Sequence, residues 1–513
     1  SIPTRAIEGL TFSALAAYGS GDDSTQGAAS IGLGAGDMAF RLAFAAREAD
    51  PYDTPIGEAE NQFVSTRSYG LGGARVGDWG FIGLAVKRTE DEYGLLPEVP
   101  GDPGGHIELE QTRIESRGDF RIDWGPFSRL DYGVQHSDYE HTEFEGDGAA
   151  GTRFMSEGYE ARLEAHHRGE QLRGAVGVQV TDVDFAAEGD EAFITPTNTQ
   201  DMGVFVVERW DTGIWGLEGG LRFERRELDN AAFGTRDFDN VSGSLGAFFR
   251  PAENWFVGAT VAHTERAPTA FELFADGPHL ATANFELGDP DLGQEQALSF
   301  EASARFDRGP LRFEVNVFHI DFSDYIALVE RGDVWWVDED TDTSGFAADE
   351  ASAPLGADEI LPVFNFIQQD ATFTGGEISL AAQLFEAGGF AVSGDAALDI
   401  IEAEFDAGGH PPRIPPYSLT VGLEAENPMW RGRIEAVHNG EQDRLAPFET
   451  PTDDFTFLNA SLAFRPGGED GPWTIRLDGR NLTDELGRVH SSFLKDELPL
   501  PGSNVRLTVT AEF

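Results

Sequence analysis

The chain has 513 residues, no cysteine, and 91 acidic against 36 basic side chains, for a formal charge of −55. This excludes a disulfide framework or a cysteine metal site and binding to nucleic acid through its phosphates; cations, or ligands carrying cations or metals, are the partners such a charge favours. No stretch holds the roughly eighteen apolar residues of a membrane helix, which says nothing about spans made of strands, each only half apolar.

In chain order, the first candidate strand is IEGLTFSALAAYGS at 7–20. Short connections rich in Gly, Pro and Asp follow at 34–37, 77–80, 124–128, 167–171, 211–213, 250–254, 307–310, 386–389, 426–430 and 465–472. Each is a turn signal between two alternating runs. Longer polar segments interleave at 20–25, 48–66, 90–107, 139–155, 185–200 and 228–236, then at 267–293, 328–370, 405–415, 441–454 and 485–501. At the end, Leu507, Val509, Ala511 and Phe513 alternate with Arg506, Thr508, Thr510 and Glu512. A period of two means strands. In a soluble sheet the polar side would meet water; in an outer-membrane barrel the apolar side meets lipid and the polar side a wet lumen. A propeller would show self-similar blades with even loops, and these loops are uneven. The pattern predicts an all-β chain, one transmembrane antiparallel β-barrel over 1–513 with about twenty-two strands, an even number as in bacterial barrels. Short turns and both termini then lie on the periplasmic side and the long loops outside.

Three stretches could carry chemistry. In HSDYEHTEFE at 136–145, an extended backbone puts His136, Asp138 and Glu140 on one face and His141, Glu143 and Glu145 on the other. Imidazole and carboxylate together are a zinc donor set, although a charged loop of this kind is also an ordinary solvated surface. The segment 328–370 carries eleven acidic residues opposed only by Arg331. Such a run attracts divalent cations or keeps a surface solvated, and DEDTDTSG at 338–345 loosely approaches a Ca²⁺ loop. His410 and His490 sit on loops as surface residues, and His319 and His438 sit near strand tops, within reach of the lumen. No nucleophile elbow or phosphate-binding Gly loop occurs in a strand-to-helix context, so no enzyme is expected.

The closing segment NLTDELGRVHSSFLKDELPLPGSNVRLTVTAEF resembles the last hairpin of the TonB-dependent outer-membrane receptors, and its HSSFLKDELPLPG portion is similar to the zinc-uptake branch. Arg266-Ala267-Pro268, Glu272-Leu273-Phe274, Gly277-Pro278-His279 and Asp289-Pro290-Asp291-Leu292 resemble a signature shared across these receptors. Haem receptors place a ligand histidine in the interval that His279 occupies, and zinc-type receptors likewise direct a histidine from this loop to the cavity; His279 could equally cap the loop. The resemblance implies a bacterial outer-membrane receptor that takes up a metal ion, zinc first, with His279, His141, Glu143 and Glu145 as leading ligands and Asp138 and His136 behind them. Zinc is then cargo, no cofactor is required, and Ca²⁺ on the acidic loops is an accessory. The implied partners are lipid and lipopolysaccharide, a plug domain, and the TonB–ExbB–ExbD complex that acts through the N-terminal part. A family member opens with a secretory signal and a plug; SIPTRAIEGL at 1–10 is neither, so the expectation is a barrel without its plug in this chain. The rival cargoes are haem or another metal chelate such as a siderophore. A second alternative is a plug-less barrel acting as a surface scaffold.

Overall fold

A ribbon with one apolar and one polar side buries both without leaving an edge only if it closes on itself. In the computed structural model, which describes residues 2–97, 103–189, 192–338, 341 and 343–513, twenty-two antiparallel strands close into one barrel. The first, Leu10–Gly19, pairs with the last, Asn504–Glu512, from Ser13 opposite Glu512 to Gly19 opposite Arg506. Phe12 and Phe513 exchange two backbone hydrogen bonds of 2.9 and 2.8 Å across that seam. Every short connection expected from the sequence is a tight link between neighbouring strands. Gly36 and Gly125 make two of these turns with φ of 65° and 59°, which disfavour any side chain.

The two faces separate by chemistry. Along Trp215–Asn230, Leu217, Leu221 and Phe223 are exposed on the outside. Between them Arg222 pairs with Glu224, and Arg226 makes a forked pair with Asp201 at 2.6 and 3.0 Å, both facing the lumen. An apolar wall around a polar interior is what a bilayer selects. All tryptophans except Trp335 and Trp336 ring the short-turn end, with pairs such as Trp210–Trp215 (4.6 Å) and Trp430–Phe464 (4.4 Å). This is an aromatic girdle at one interface. Leu221, 65% exposed and near mid-span, provides a test of the lipid face. Leu221→Arg is expected to cost about 2–4 kcal/mol of barrel stability, read by denaturant unfolding in bilayers. A loss of only about 0.5 kcal/mol, typical of a solvated surface, would contradict the assignment.

Strand length is uneven, and this positions the site. Trp473–Arg480 has 8 residues, whereas Leu311–Asp338 and Glu359–Ala387 have 28 and 29. Roughly nine to eleven residues cross a bilayer, so the longer strands rise well outside it. The segments 139–155 and 328–370, expected as loops, are therefore largely strand. Phe127–Phe144 and Ala150–Arg168 leave only a five-residue link at 145–149. In the second segment, Val334 to Val337 pair with Glu359 to Pro362 and also with Ser344 to Ala347, because β-branched and tryptophan side chains favour a pleated surface. Several acids there already have work. Asp333 binds Arg331 at 2.8 Å, Asp349 caps a short turn, and Asp370 accepts the Asp324 N–H at 3.0 Å. Glu339, Asp340 and Asp342, central to the Ca²⁺-loop expectation, lie outside the described residues.

Candidate metal-binding site at the barrel mouth

The segment 267–293 folds inward across the mouth. Its entry is set by Arg266, whose guanidinium binds Glu272 at 2.8 Å and Glu295 at 3.2 Å. Thr269 and Glu272 form a reciprocal capping box on the helix Ala270–Phe274. The helix buries Leu273 and Phe274 against Leu228, Phe238 and Ile326. A hairpin follows, Asp276–His279 against Asn284–Leu287, and its second strand pairs in parallel with Val363–Asn365 of the long strand Glu359–Ala387. His279 thus stands at the tip of a braced hairpin.

On the facing wall, alternation decides which ligand candidates meet it. Val134 is exposed to the lipid side, so His136, Asp138 and Glu140 also point outward, while Tyr139, His141 and Glu143 point into the barrel. His136 stacks on Tyr159 at 4.4 Å, and its Nδ1 lies 3.2 Å from the Gly158 carbonyl. His136 and Asp138 are thereby separated from the rest of the expected set.

The inward group and His279 lie along one aromatic stack, and the ligand atoms of His141, Glu143 and His279 do not all fall within 4.8 Å of one another. His141 stacks on its cross-strand neighbour Phe154 at 4.5 Å; Phe154 meets Phe193 at 6.0 Å, and Phe193 stacks on His279 at 4.6 Å. Tyr139 hydroxyl lies 2.9 Å from His141 Nδ1, and His279 Nδ1 lies 2.9 Å from Glu286 Oε1. These two bonds orient both rings and leave each Nε2 for a ligand. Glu143 Oε1 is 3.9 Å from His141 Nε2 and only 5% of the residue is exposed. Glu145 enters through its charge, which acts on Glu143 from the 145–149 link.

These groups stand beyond the bilayer-crossing part of their strand, where electrostatics can be read directly. Burial lowers the His141 pKa, and the charge of His279 adds to that. Burial raises the Glu143 carboxyl; His279 opposes the rise and Glu145 supports it. Burial, with Tyr93, Asp91 and Glu143 nearby, pushes the Tyr139 hydroxyl up to about 12, so it stays protonated. Imidazole nitrogens with a buried carboxyl group suit a soft-to-borderline divalent cation.

The other histidines have local partners. His319 lies by Thr374 and Asp321 (2.8 and 3.2 Å), and His438 lies between Tyr417 and Thr456 (3.0 and 2.9 Å). Both share the outward face of their strands with exposed apolar residues, Val317 and Ile434, and not the lumen. His490, expected at the surface, is 3% exposed. Its Nε2 is 3.3 Å from Glu449 Oε1, which also lies 3.6 Å from Lys495 Nζ and accepts the Arg413 backbone N–H at 2.7 Å. The HSSFLKDELPLPG motif is therefore used to lock loop 441–454 to loop 485–501. Sequence reasoning also missed a second cluster. Glu92, His106 and Glu108 place three ligand atoms within 4.8 Å of one another, the only such set among the described residues. Reading 90–107 as a loop hid their placement side by side on paired strands.

Comparison with known proteins places the chain in a family. The family model described as "TonB dependent receptor-like, beta-barrel" matches residues 21–482. The fold is similar to that of the copper transporter OprC, with a TM-score of 0.83 at 15% identity over 100% of this chain and 81% of that one. The FrpB iron transporter from Neisseria meningitidis (F3-3 variant) gives 0.76 at 15%, over 99% and 82%. The Serratia marcescens hemophore receptor HasR, in complex with its hemophore HasA and heme, gives 0.75 at 15%, over 98% and 81%.

Proposed function

Because this chain belongs to the TonB-dependent receptor β-barrel family of the bacterial outer membrane, we propose that it captures a metal ion or metal chelate at its extracellular mouth for uptake, with zinc as the cargo. The observation that carries this reading is the placement of His141 and His279, from elements far apart in sequence, at the two ends of one Phe154–Phe193 stack inside the mouth, with the buried Glu143 beside His141. The acidic exterior raises the local cation concentration, and His141, His279 and Glu143 exchange for the ion's waters. Glu286 orients His279, and Glu145 adds negative charge. Family membership implies that a plug and the TonB complex then open the path. The work is ligand exchange and gating, with no bond chemistry.

The double variant His141→Ala/His279→Ala tests this. Zinc affinity at the mouth is expected to fall by at least about a hundredfold, because two ligands go rather than one outer-shell partner. An unchanged zinc isotherm would refute the mouth as the zinc site. A second reading, haem, is favoured by the aromatic floor on which both imidazoles lie and by the neighbouring haem-receptor fold. Haem bound through His279 would give a Soret band that His279→Ala abolishes; zinc gives none.

A further inference from the structure

The outside wall carries a second constellation that the mouth does not use. On Gly80–Gly94, the exposed Ile82, Leu84 and Val86 fix the lipid face, so Arg88, Glu90 and Glu92 follow on it. Its partner His106–Trp124 presents His106, Glu108, Glu110 and the exposed Ile114 on the same face, with no register shift between the two strands. Glu92 is two residues from the extracellular end of a 15-residue strand, beyond the roughly nine to eleven that cross the bilayer. The cluster therefore faces the outer headgroup layer.

Two successive rungs of this ladder each oppose a pair of glutamates. Glu90 faces Glu110, and Glu92 faces Glu108. The lower rung is neutralised by Arg88, 2.7 Å from Glu90 and 2.8 Å from Glu110. The upper rung has no Arg or Lys within 4.0 Å among the described residues; its other cross-strand neighbours are Ser65 and Thr142. Like charges placed directly opposite one another destabilise a sheet. The remaining neighbour is His106, whose Nε2 lies 3.9 Å from Glu108 Oε1 and whose ring is held nearly parallel to Phe144 at 4.8 Å and 6°. One fixed imidazole and two carboxylates form the three-ligand, one-open-position set of zinc.

We propose that Glu92, His106 and Glu108 form a divalent-metal site of zinc type on the outer wall of the barrel, distinct from the mouth, which staples the two strands together where they leave the membrane. The ion converts the unneutralised rung from repulsive to attractive, and its open position faces the headgroup layer.

The test uses the full chain in detergent, with zinc dialysis for stoichiometry and Co²⁺ as the spectroscopic probe. Wild type is expected to hold one equivalent more than His106→Ala, and Glu92→Gln and Glu108→Gln each to weaken that equivalent by at least about tenfold. Replacing His141 and His279 leaves it in place, which separates this site from the mouth. The conservative glutamine variants also give a reading on folding. In chelator Glu92→Gln is at least as heat-stable as wild type, because repulsion is removed, whereas with zinc wild type gains more stability than Glu92→Gln, by the increment that this second site adds. Equal zinc stoichiometry in wild type and His106→Ala, or an equal zinc-induced gain in Glu92→Gln, overturns the proposal.

Discussion

Replacing Arg266 with alanine is expected to release the 267–293 segment from the mouth while leaving the barrel wall intact. The guanidinium is the only base bonded to Glu272 and Glu295 among the described residues, and the side chains of those two glutamates are 13% and 12% exposed. Glu272 also closes the helix capping box, and Glu295 accepts the Ile326 N–H at 2.9 Å. Breaking a fully buried pair by removing one partner costs about 3–5 kcal/mol; the Arg266 side chain is 38% exposed, so the cost here is smaller and falls on one loop. Hydrogen exchange across 276–293 should rise sharply in Arg266→Ala, and zinc affinity should drop because His279 is no longer held against Phe193. Arg266→Lys should rescue poorly, since an ammonium cannot bridge both carboxylates with a planar fork. Unchanged exchange would show that apolar packing of Leu273 and Phe274 alone holds the segment.

A second large effect is expected at the buried lock between the last two extracellular loops. Burial alone would raise the Glu449 carboxyl, but His490, the backbone N–H groups of Ala446 and Arg413, and Lys495 outweigh it and bring it down to about 2 from 4.5. A folded-state pKa below the unfolded value means stabilisation that is fully present above about pH 4.5 and lost as pH falls towards 2. Glu449→Gln strands Lys495 in a site where its side chain is 6% exposed, at a cost of about 3–5 kcal/mol. Protease cleavage in 441–454 and 485–501 should therefore appear at neutral pH in the variant but only towards pH 2 in wild type. Adding Lys495→Met should recover much of the loss, because an apolar replacement of a buried pair is close to neutral. Cleavage that is the same in all three would remove the lock from the account.

The barrel was legible because its physics is local. Period-two alternation and turn residues are set within a few positions, and the ten short connections could be read off one after another. The same alternation divided HSDYEHTEFE into two faces, and Val134 marks the lipid one, so the outward placement of His136 and Asp138 was already written two residues upstream. What could not be read was long-range placement. His141 and His279 share one aromatic stack only because Arg266 and a parallel pairing to Val363–Asn365 fold a distant loop across the mouth. Burial of His490 and Lys495 likewise depends on Glu449, more than forty residues earlier in the chain. The metal-like cluster at Glu92, His106 and Glu108 was hidden by taking charged strand extensions for a loop.

The central claim is that zinc binds at the mouth through His141 and His279. Zinc-edge X-ray absorption of the His106→Ala barrel, loaded with one equivalent of zinc so that the outer-wall cluster is silent, addresses it most directly. The account predicts imidazole scattering from two histidines with nitrogen and oxygen ligands at about 2.0–2.2 Å, lost when His141 and His279 are replaced. Oxygen-only scattering, or imidazole scattering that survives that replacement, would contradict it.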